Sequence, residues 1–296
     1  MSDTLSDYLI TRANLVTKSL ENRLVINRTE SPALGRLRAA MAHGALGGGK
    51  RLRPFLVLEA ASIFGADDEA ALPAATAIEM VHCYSLIHDD LPAMDDADTR
   101  RGRPSVHKAY DEAIAILAGD GLLTDAFALL TEEGTYTAPT ACRLVRELAL
   151  AAGSGGMVGG QMMDLYPDGG DEAAIVGIQR RKTGALIEAA AVMGAIVGAA
   201  APSDEAALRQ YAAAVGEAFQ VVDDILDETA SSAELGKPAG VDGAAGKATF
   251  VSLLGLAGAR DRVSALTAAA LAALAGLGPR ADRLRAVAGQ LASRST

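Results

Sequence analysis

Apolar residues recur at helical spacing along nearly the whole chain, punctuated by ten prolines and by clusters of glycine. The pattern predicts helices over 3–28, 33–44, 52–65, 68–91, 106–118, 120–132, 138–153, 155–166, 171–182, 183–201, 204–228, 247–258, 259–276 and 280–293. Ser31-Pro32 and Ser203-Asp204 read as helix starts and Gly65 as a stop. Runs of β-branched residues are scarce, so the expectation is an all-α fold. No linker with a shift in composition divides the chain, which predicts one helical domain over residues 1–296. The most loop-like stretch is 229–246, TASSAELGKPAGVDGAAG. The longest unbroken apolar run, Ala189 to Ala201, ends at Pro202 and falls short of the roughly 20 residues a bilayer requires. No transmembrane segment is expected on that ground.

Composition narrows the function. Half the residues are hydrophobic, enough for a sizeable core of small side chains, and the formal net charge is −10. A chain of that charge repels nucleic acid, whose recognition depends on basic patches. Its local basic clusters therefore point to an anionic small molecule. Cys83 and Cys142 both lie in helical apolar patterns and read as buried thiols in a reducing cytoplasm. The N-terminus MSDTLSDYLI has no basic stretch leading into an apolar one, so no secretory signal is visible.

The chemistry concentrates in SLIHDDLPAMDDADTRRGRP, residues 85–104, where an apolar helix runs into aspartates and then arginines. Asp89 and Asp95 are six apart and would not align on an unbroken helix. Pro92 between them ends the helix and lets the chain bring Asp95 back toward Asp89. His82 precedes Asp89 by seven residues and shares its helix face. A second apolar helix, AFQVVDDILD, carries Asp223 and Asp227 four apart, one turn separated. Like charges so placed repel unless a multivalent cation lies beside them. Oxygen ligands without Cys or paired His favour Mg²⁺, which takes one or two carboxylates plus water and phosphate oxygens. Solvated helix ends are the competing reading for each acidic run taken singly.

Cationic groups complete the set. GGGKRLRP, residues 47–54, presents Lys50, Arg51 and Arg53 after three glycines, although Lys50 or Arg51 read alone fits an ordinary surface charge. Arg100 and Arg101 follow the first acidic cluster, and Lys182, Lys237 and Lys247 lie further on. A polyphosphate ester held by metal ions and by Arg and Lys, departing with Lewis-acid help, accounts for the whole inventory.

The segments GGKRLRP, HCYSLIHDDLPAMDDADTRRGRP, GGQMMDL, RKTGAL, AFQVVDDILD and LGKPAGVDGAAGKAT, spanning residues 47–249, closely resemble those of the trans-prenyl diphosphate synthases, most of all bacterial farnesyl diphosphate synthases. The resemblance implies an isoprenoid-synthase-like helical bundle around a deep cavity, in a cytoplasmic homodimer. It implies condensation of isopentenyl diphosphate with an allylic diphosphate. Asp89, Asp95 and Asp223 would hold Mg²⁺, three ions with substrate bound, supported by Asp90 and Asp227; Asp224 joins these aspartates, Arg100 and Lys182 as catalytic residues. Arg100, Lys182, Thr183, Gln220, Lys237 and Lys247 would contact the allylic diphosphate; Lys50, Arg53, His82 and Arg101 would bind isopentenyl diphosphate. Tyr84, with Ser85 beside it, would floor the product pocket and limit the chain to fifteen carbons, with geranyl or geranylgeranyl diphosphate as alternative products. Gln161 and Asp164 match a further motif with a supporting role near the lysines, and His107 receives none. The chain departs from the family in its non-basic terminus ASRST and in Val251, where many relatives have proline. A terpene cyclase, a noncatalytic partner subunit and a di-iron bundle built on Glu79-x-x-His82 are the rival readings.

Overall fold

A computed structural model of the chain describes residues 5–24, 31–169, 171–229 and 249–294. It is helical nearly throughout, as the pattern predicts. In order the helices are α1 (Leu5–Arg23), α2 (Pro32–Ala45), α3 (Leu52–Ile63), α4 (Asp68–Asp89), α5 (Val106–Ala109), α6 (Glu112–Leu130), α7 (Ala138–Ala152), α8 (Met157–Leu165), α9 (Glu172–Gln179), α10 (Ala185–Val197), α11 (Pro202–Thr229), α12 (Phe250–Ala273) and α13 (Asp282–Arg294). A two-residue ladder, β1 (Thr99–Arg100) against β2 (Arg103–Pro104), was not expected; it pairs Arg100 with Arg103 across a tight turn. The chain forms two compact units, Met1–Leu58 with Ala66–Val145, and Glu59–Gly65 with Arg146–Thr296.

The first unit is organised on α4. Asp67 caps it through its side chain, and its apolar residues are buried on nearly every face, as in a core helix. Pro73 interrupts its ladder. The Tyr136 hydroxyl enters the opened turn, accepting from the Ala74 N–H at 3.2 Å and donating to the Ala70 carbonyl at 2.8 Å. Burial there pushes the phenol up to about 12. The main neighbour of α4 is α6, which runs unbroken where a break near 118–120 was predicted. Its glycines relieve contacts instead of ending the helix: a Cβ at Gly121 would meet the Met41 sulfur at 3.1 Å.

Both helices are long and apolar enough, by length and composition, to cross a membrane, with 67% and 39% of those stretches buried; the bent pair α12 with Ala275–Ser293 passes the same test. Isolated polar residues, Glu79 in α4 among them, break these stretches into shorter apolar runs, so they are not unbroken in the sequence. In α4 the apolar content is accounted for by the core.

In the second unit α11 packs against both α10 and α12. Gly216 of α11 approaches the Gly184 backbone closely: a Cβ there would lie 3.4 Å from the Gly184 Cα. Val221, Val222 and Ile225 join Ile175, Phe250, Ala259 and Val263 in one apolar cluster. The fully buried Tyr211 donates its hydroxyl to the Leu284 carbonyl at 2.8 Å. The predicted boundary at 182–183 is a π-helical turn, Arg180–Gly184, that carries the chain from α9 into α10. The predicted break at 258–259 lies instead at Gly255, whose positive φ kinks α12. Thr249 and Ser252 form a reciprocal capping box at the start of α12. Val251 is therefore the second residue of its helix and packs on the apolar cluster, a position that tolerates either valine or proline. Cys142 is exposed, correcting the expectation of a buried thiol; Cys83 is buried.

Candidate active site

The end of α4 delivers the first acidic motif. The helix stops at Asp89, and residues 91–94 make an excursion around Pro92. The Asp95 N–H then donates to the Asp89 carbonyl at 2.9 Å, and the Ala97 N–H to that of Asp90 at 3.1 Å. These bonds return Asp95 to Asp89. Asp89 is half-buried and Asp95 exposed, whereas Asp90 is turned inward and 2% exposed. One oxygen of Asp90 accepts from Arg100 Nε at 3.0 Å and from its terminal nitrogen at 2.5 Å. Burial opposes the charge on Arg100, but the bond to Asp90 and the fields of Asp89 and Asp95 hold its guanidinium above its ordinary value. Asp90 thus positions Arg100, and Asp89 and Asp95 are the carboxylates presented outward.

The glycine-rich and arginine-rich motifs meet. Arg101, at positive φ, donates to the Gly48 carbonyl, and its guanidinium occupies the space a Cβ at Gly49 would take, 2.6 Å from that position. Gly49 itself has φ +120, a backbone conformation that side chains rarely adopt, so glycine is favoured there. Arg53 lies close by: burial lowers its guanidinium and the charge of Arg101 adds to the effect. His82 is half-buried among these groups. Burial first, then Arg53, Arg101, Arg51 and Arg100, hold its imidazole well below 6.5. A neutral imidazole ringed by guanidiniums marks a place suited to several negative charges. Lys50 is exposed at the mouth of the same loop.

Arg51 departs from the reading of a surface charge. It is 3% exposed with φ 49, and donates to Glu79 Oε1 at 2.6 Å and to the Ala45 carbonyl at 2.6 Å. Burial, the largest single effect, would lower its guanidinium, but the charges of Glu79 and Cys83 and the hydrogen bonds to them together raise it. Glu79 is 1% exposed and committed to this pair, which removes the carboxylate a di-iron site would need. The isolated Glu in the apolar run IEMVHCYSLI was the available signal. The neighbouring Cys83 thiol is raised by burial to about 12 and is inert.

The remaining predicted residues fall in the second unit. On α11, Gln220, Asp223 and Asp227 share a face by spacing; Asp223 is exposed and Asp227 is 7% exposed. Asp224 turns away from them and accepts from the Phe250 N–H at 2.8 Å, at the start of α12. Lys182 and Thr183 lie in the π turn, and Lys182 Nζ donates to Asp164 at 2.7 Å. The turn sits against Gly160, where a Cβ would lie 2.2 Å from the Lys182 nitrogen, so α8 can approach only through glycine. The Gln161 amide, one helical turn from Asp164, is buried with neither polar atom bonded among the described residues. Lys237 and Lys247, and most of the stretch 229–246, lie outside the described residues. Ser85 donates back to the His82 carbonyl at 2.9 Å. His107 is buried, with Nδ1 3.1 Å from the Ser105 hydroxyl and Nε2 4.0 Å from Asp96.

Among the described residues no three Asp, Glu, His or Cys side chains converge on one point. Taken unit by unit, Asp89 with Asp95 and Asp223 with Asp227 are pairs of hard carboxylates, a donor chemistry that fits an ion such as Mg²⁺, which keeps waters and takes phosphate oxygens.

The histidine has a measurable consequence. Its pKa in the folded chain lies below the 6.5 of an exposed imidazole. Between those values the unfolded chain binds the extra proton, so stability is full above about pH 6.5 and declines as pH falls below it. His82→Gln is expected to flatten this part of the curve in urea titrations; an unchanged slope would show that the imidazole is not held neutral.

A helical chain that ends a core helix in paired carboxylates beside clustered guanidiniums defines an enzyme of diphosphate chemistry. The chain belongs to the polyprenyl synthetase family, whose model matches residues 35–273. It is 46% identical over 243 residues to a farnesyl diphosphate synthase of Geobacillus stearothermophilus, covering 81% of this chain and 81% of that one. It is 44% identical over 263 residues to a heterodimeric geranylgeranyl pyrophosphate synthase large subunit of Arabidopsis thaliana, covering 86% and 69%. An apo crystal structure of an FPP/GFPP synthase from Zymomonas mobilis superposes with a TM-score of 0.87 at 41% identity, covering 97% and 98%.

Proposed function

We propose that the chain is a prenyltransferase that condenses isopentenyl diphosphate with dimethylallyl or geranyl diphosphate and makes farnesyl diphosphate as its main product. The observation that carries this reading is the end of α4, where Asp89 and Asp95 are brought together while His82, on the same helix, sits among arginines. Asp89, Asp95 and Asp223 would hold Mg²⁺, three ions when substrate is bound. The bound ions would supply neutralisation of the diphosphate that leaves. Arg100, fixed by Asp90, and Lys182, fixed by Asp164, would bind the allylic diphosphate with Thr183, Gln220, Lys237 and Lys247. Lys50, Arg53, Arg101 and the neutral His82 would bind isopentenyl diphosphate, the imidazole offering a hydrogen bond without adding to the charge of its neighbours.

In the reaction the allylic C–O bond breaks and the isopentenyl double bond supplies the electron pair of the new C–C bond. The proton then lost passes to the released diphosphate, so no protein base is required. Holding both substrates in register supplies much of the acceleration. A cytoplasmic homodimer completes the proposal. It is supported by two free cysteines and by the exposed apolar residues Ile116 and Leu117 of α6.

The test is incubation with Mg²⁺, dimethylallyl diphosphate and isopentenyl diphosphate, with products resolved by length. Fifteen-carbon product is expected to dominate. A predominance of twenty carbons would favour a geranylgeranyl synthase instead. Hydrocarbon formed from the allylic diphosphate alone would replace the reading with a cyclase. Tyr84, buried five residues before Asp89, would be the pocket floor, so Tyr84→Ala is expected to shift the products beyond fifteen carbons.

A further inference from the structure

We propose that His88, seated in a notch at Gly119, is the brace that fixes the Tyr84 ring and so sharpens product length; this rests on the reading of Tyr84 as the pocket floor. Tyr84 and His88 are one turn apart on α4, with ring centroids 5.7 Å apart and planes at 76°. That is the edge-to-face geometry aromatic rings favour. The histidine is held from its other side by α6. Its Nε2 is 3.1 Å from the Ile116 carbonyl oxygen, which makes Nε2 the protonated nitrogen of the donating tautomer. A Cβ at Gly119 would lie 2.1 Å from Nε2 and 2.5 Å from Cδ2, so the ring occupies space that only glycine leaves. Asp120 stands 3.9 Å from the same nitrogen.

The arrangement couples two helices to one ring. Tyr84 by itself has a rotatable Cα–Cβ bond, and a floor that swings gives a spread of products. The imidazole blocks that movement, and α6 blocks movement of the imidazole. Gly119 is thus read as a specificity position, although it carries no side chain and lies on a different helix from the acidic motif. His88 acts through Tyr84 and is a positioning residue.

Product ratios separate this role from a merely structural one, since loss of folded enzyme lowers turnover without changing the ratio. His88→Ala is expected to raise the ratio of longer to fifteen-carbon products by roughly two- to tenfold, the range an edge-to-face pair is worth. His88→Asn, which can still donate toward the Ile116 carbonyl but has no ring, is expected to do the same if the alanine variant folds poorly. The double variant His88→Ala with Tyr84→Ala should give the distribution of Tyr84→Ala alone. Gly119→Ala should alter the ratio, and adding His88→Ala should return it to that of His88→Ala, because the clash is then gone. Wild-type ratios in both His88 variants alongside a lengthened Tyr84→Ala product would overturn the brace and leave the floor intact. Additive lengthening in the double variant would also overturn it. An unchanged product from Tyr84→Ala would sink the floor itself and the brace with it.

Discussion

Replacing Asp89 with asparagine is expected to lower kcat by at least about a thousandfold, because a metal-bound departing group is worth several kcal/mol of transition-state stabilisation. The substitution keeps size and shape and removes one charge from a half-buried side chain at the helix end. Stability should change by no more than about 0.5 kcal/mol, as at other positions outside the core. Asp223→Asn is expected to act in the same way. Manganese binding, followed by electron paramagnetic resonance with an allylic diphosphate analogue present, should weaken in both variants. Asp90→Asn provides the contrast. Asp90 is buried against Arg100, so its loss should destabilise the fold and misplace that guanidinium. Near wild-type turnover in Asp89→Asn, or unaltered manganese binding, would remove this carboxylate from the reaction.

The second large effect is on stability. Glu79→Gln is expected to cost about 3–5 kcal/mol, because it leaves a buried guanidinium without its counter-charge. Arg51→Met should cost a similar amount by stranding the Glu79 carboxylate and removing the donor to the Ala45 carbonyl. Methionine at both positions removes both charges together, and much of the loss should return. Chemical denaturation of the three variants measures this directly. Single substitutions costing less than about 1 kcal/mol would mean that water reaches the pair and screens it. The pair also holds the chain between Lys50 and Arg53, so the single variants should weaken isopentenyl diphosphate binding beyond their effect on folding.

How much of this was legible in the sequence depended on the range of each interaction. The helices and the turn around Pro92 follow from spacing and from the chemistry of proline, both local properties. Helix boundaries failed where a tertiary contact overruled a glycine. Gly119 looked like a break because its partner, His88, lies far along the chain. The resemblance separated metal-facing aspartates from supporting ones, but which partners the neighbouring aspartates take was not legible. Asp90 and Asp224 are adjacent to Asp89 and Asp223, yet each faces a different partner, Arg100 and the start of α12. Arg51 was misread for the same reason: a positive φ and a carboxylate 28 residues away bury it. The two-residue ladder that aims Arg100 and Arg101 is too short to leave a periodic signal.

The wide turn at Arg180–Gly184 carries one residue more than a regular helix would use over the same rise. Deleting a single position there would let α9 and α10 merge into an ordinary rod. Because the bulge absorbs the extra residue, the flanking helices would keep nearly their phase, but the residues of the turn itself would change direction. Lys182 would swing off Asp164, and the glycine face of α8 would meet side chains in place of backbone. Length between these helices is therefore under tighter constraint than residue identity: the segment should tolerate exchange at its exposed arginines and reject any change in its count.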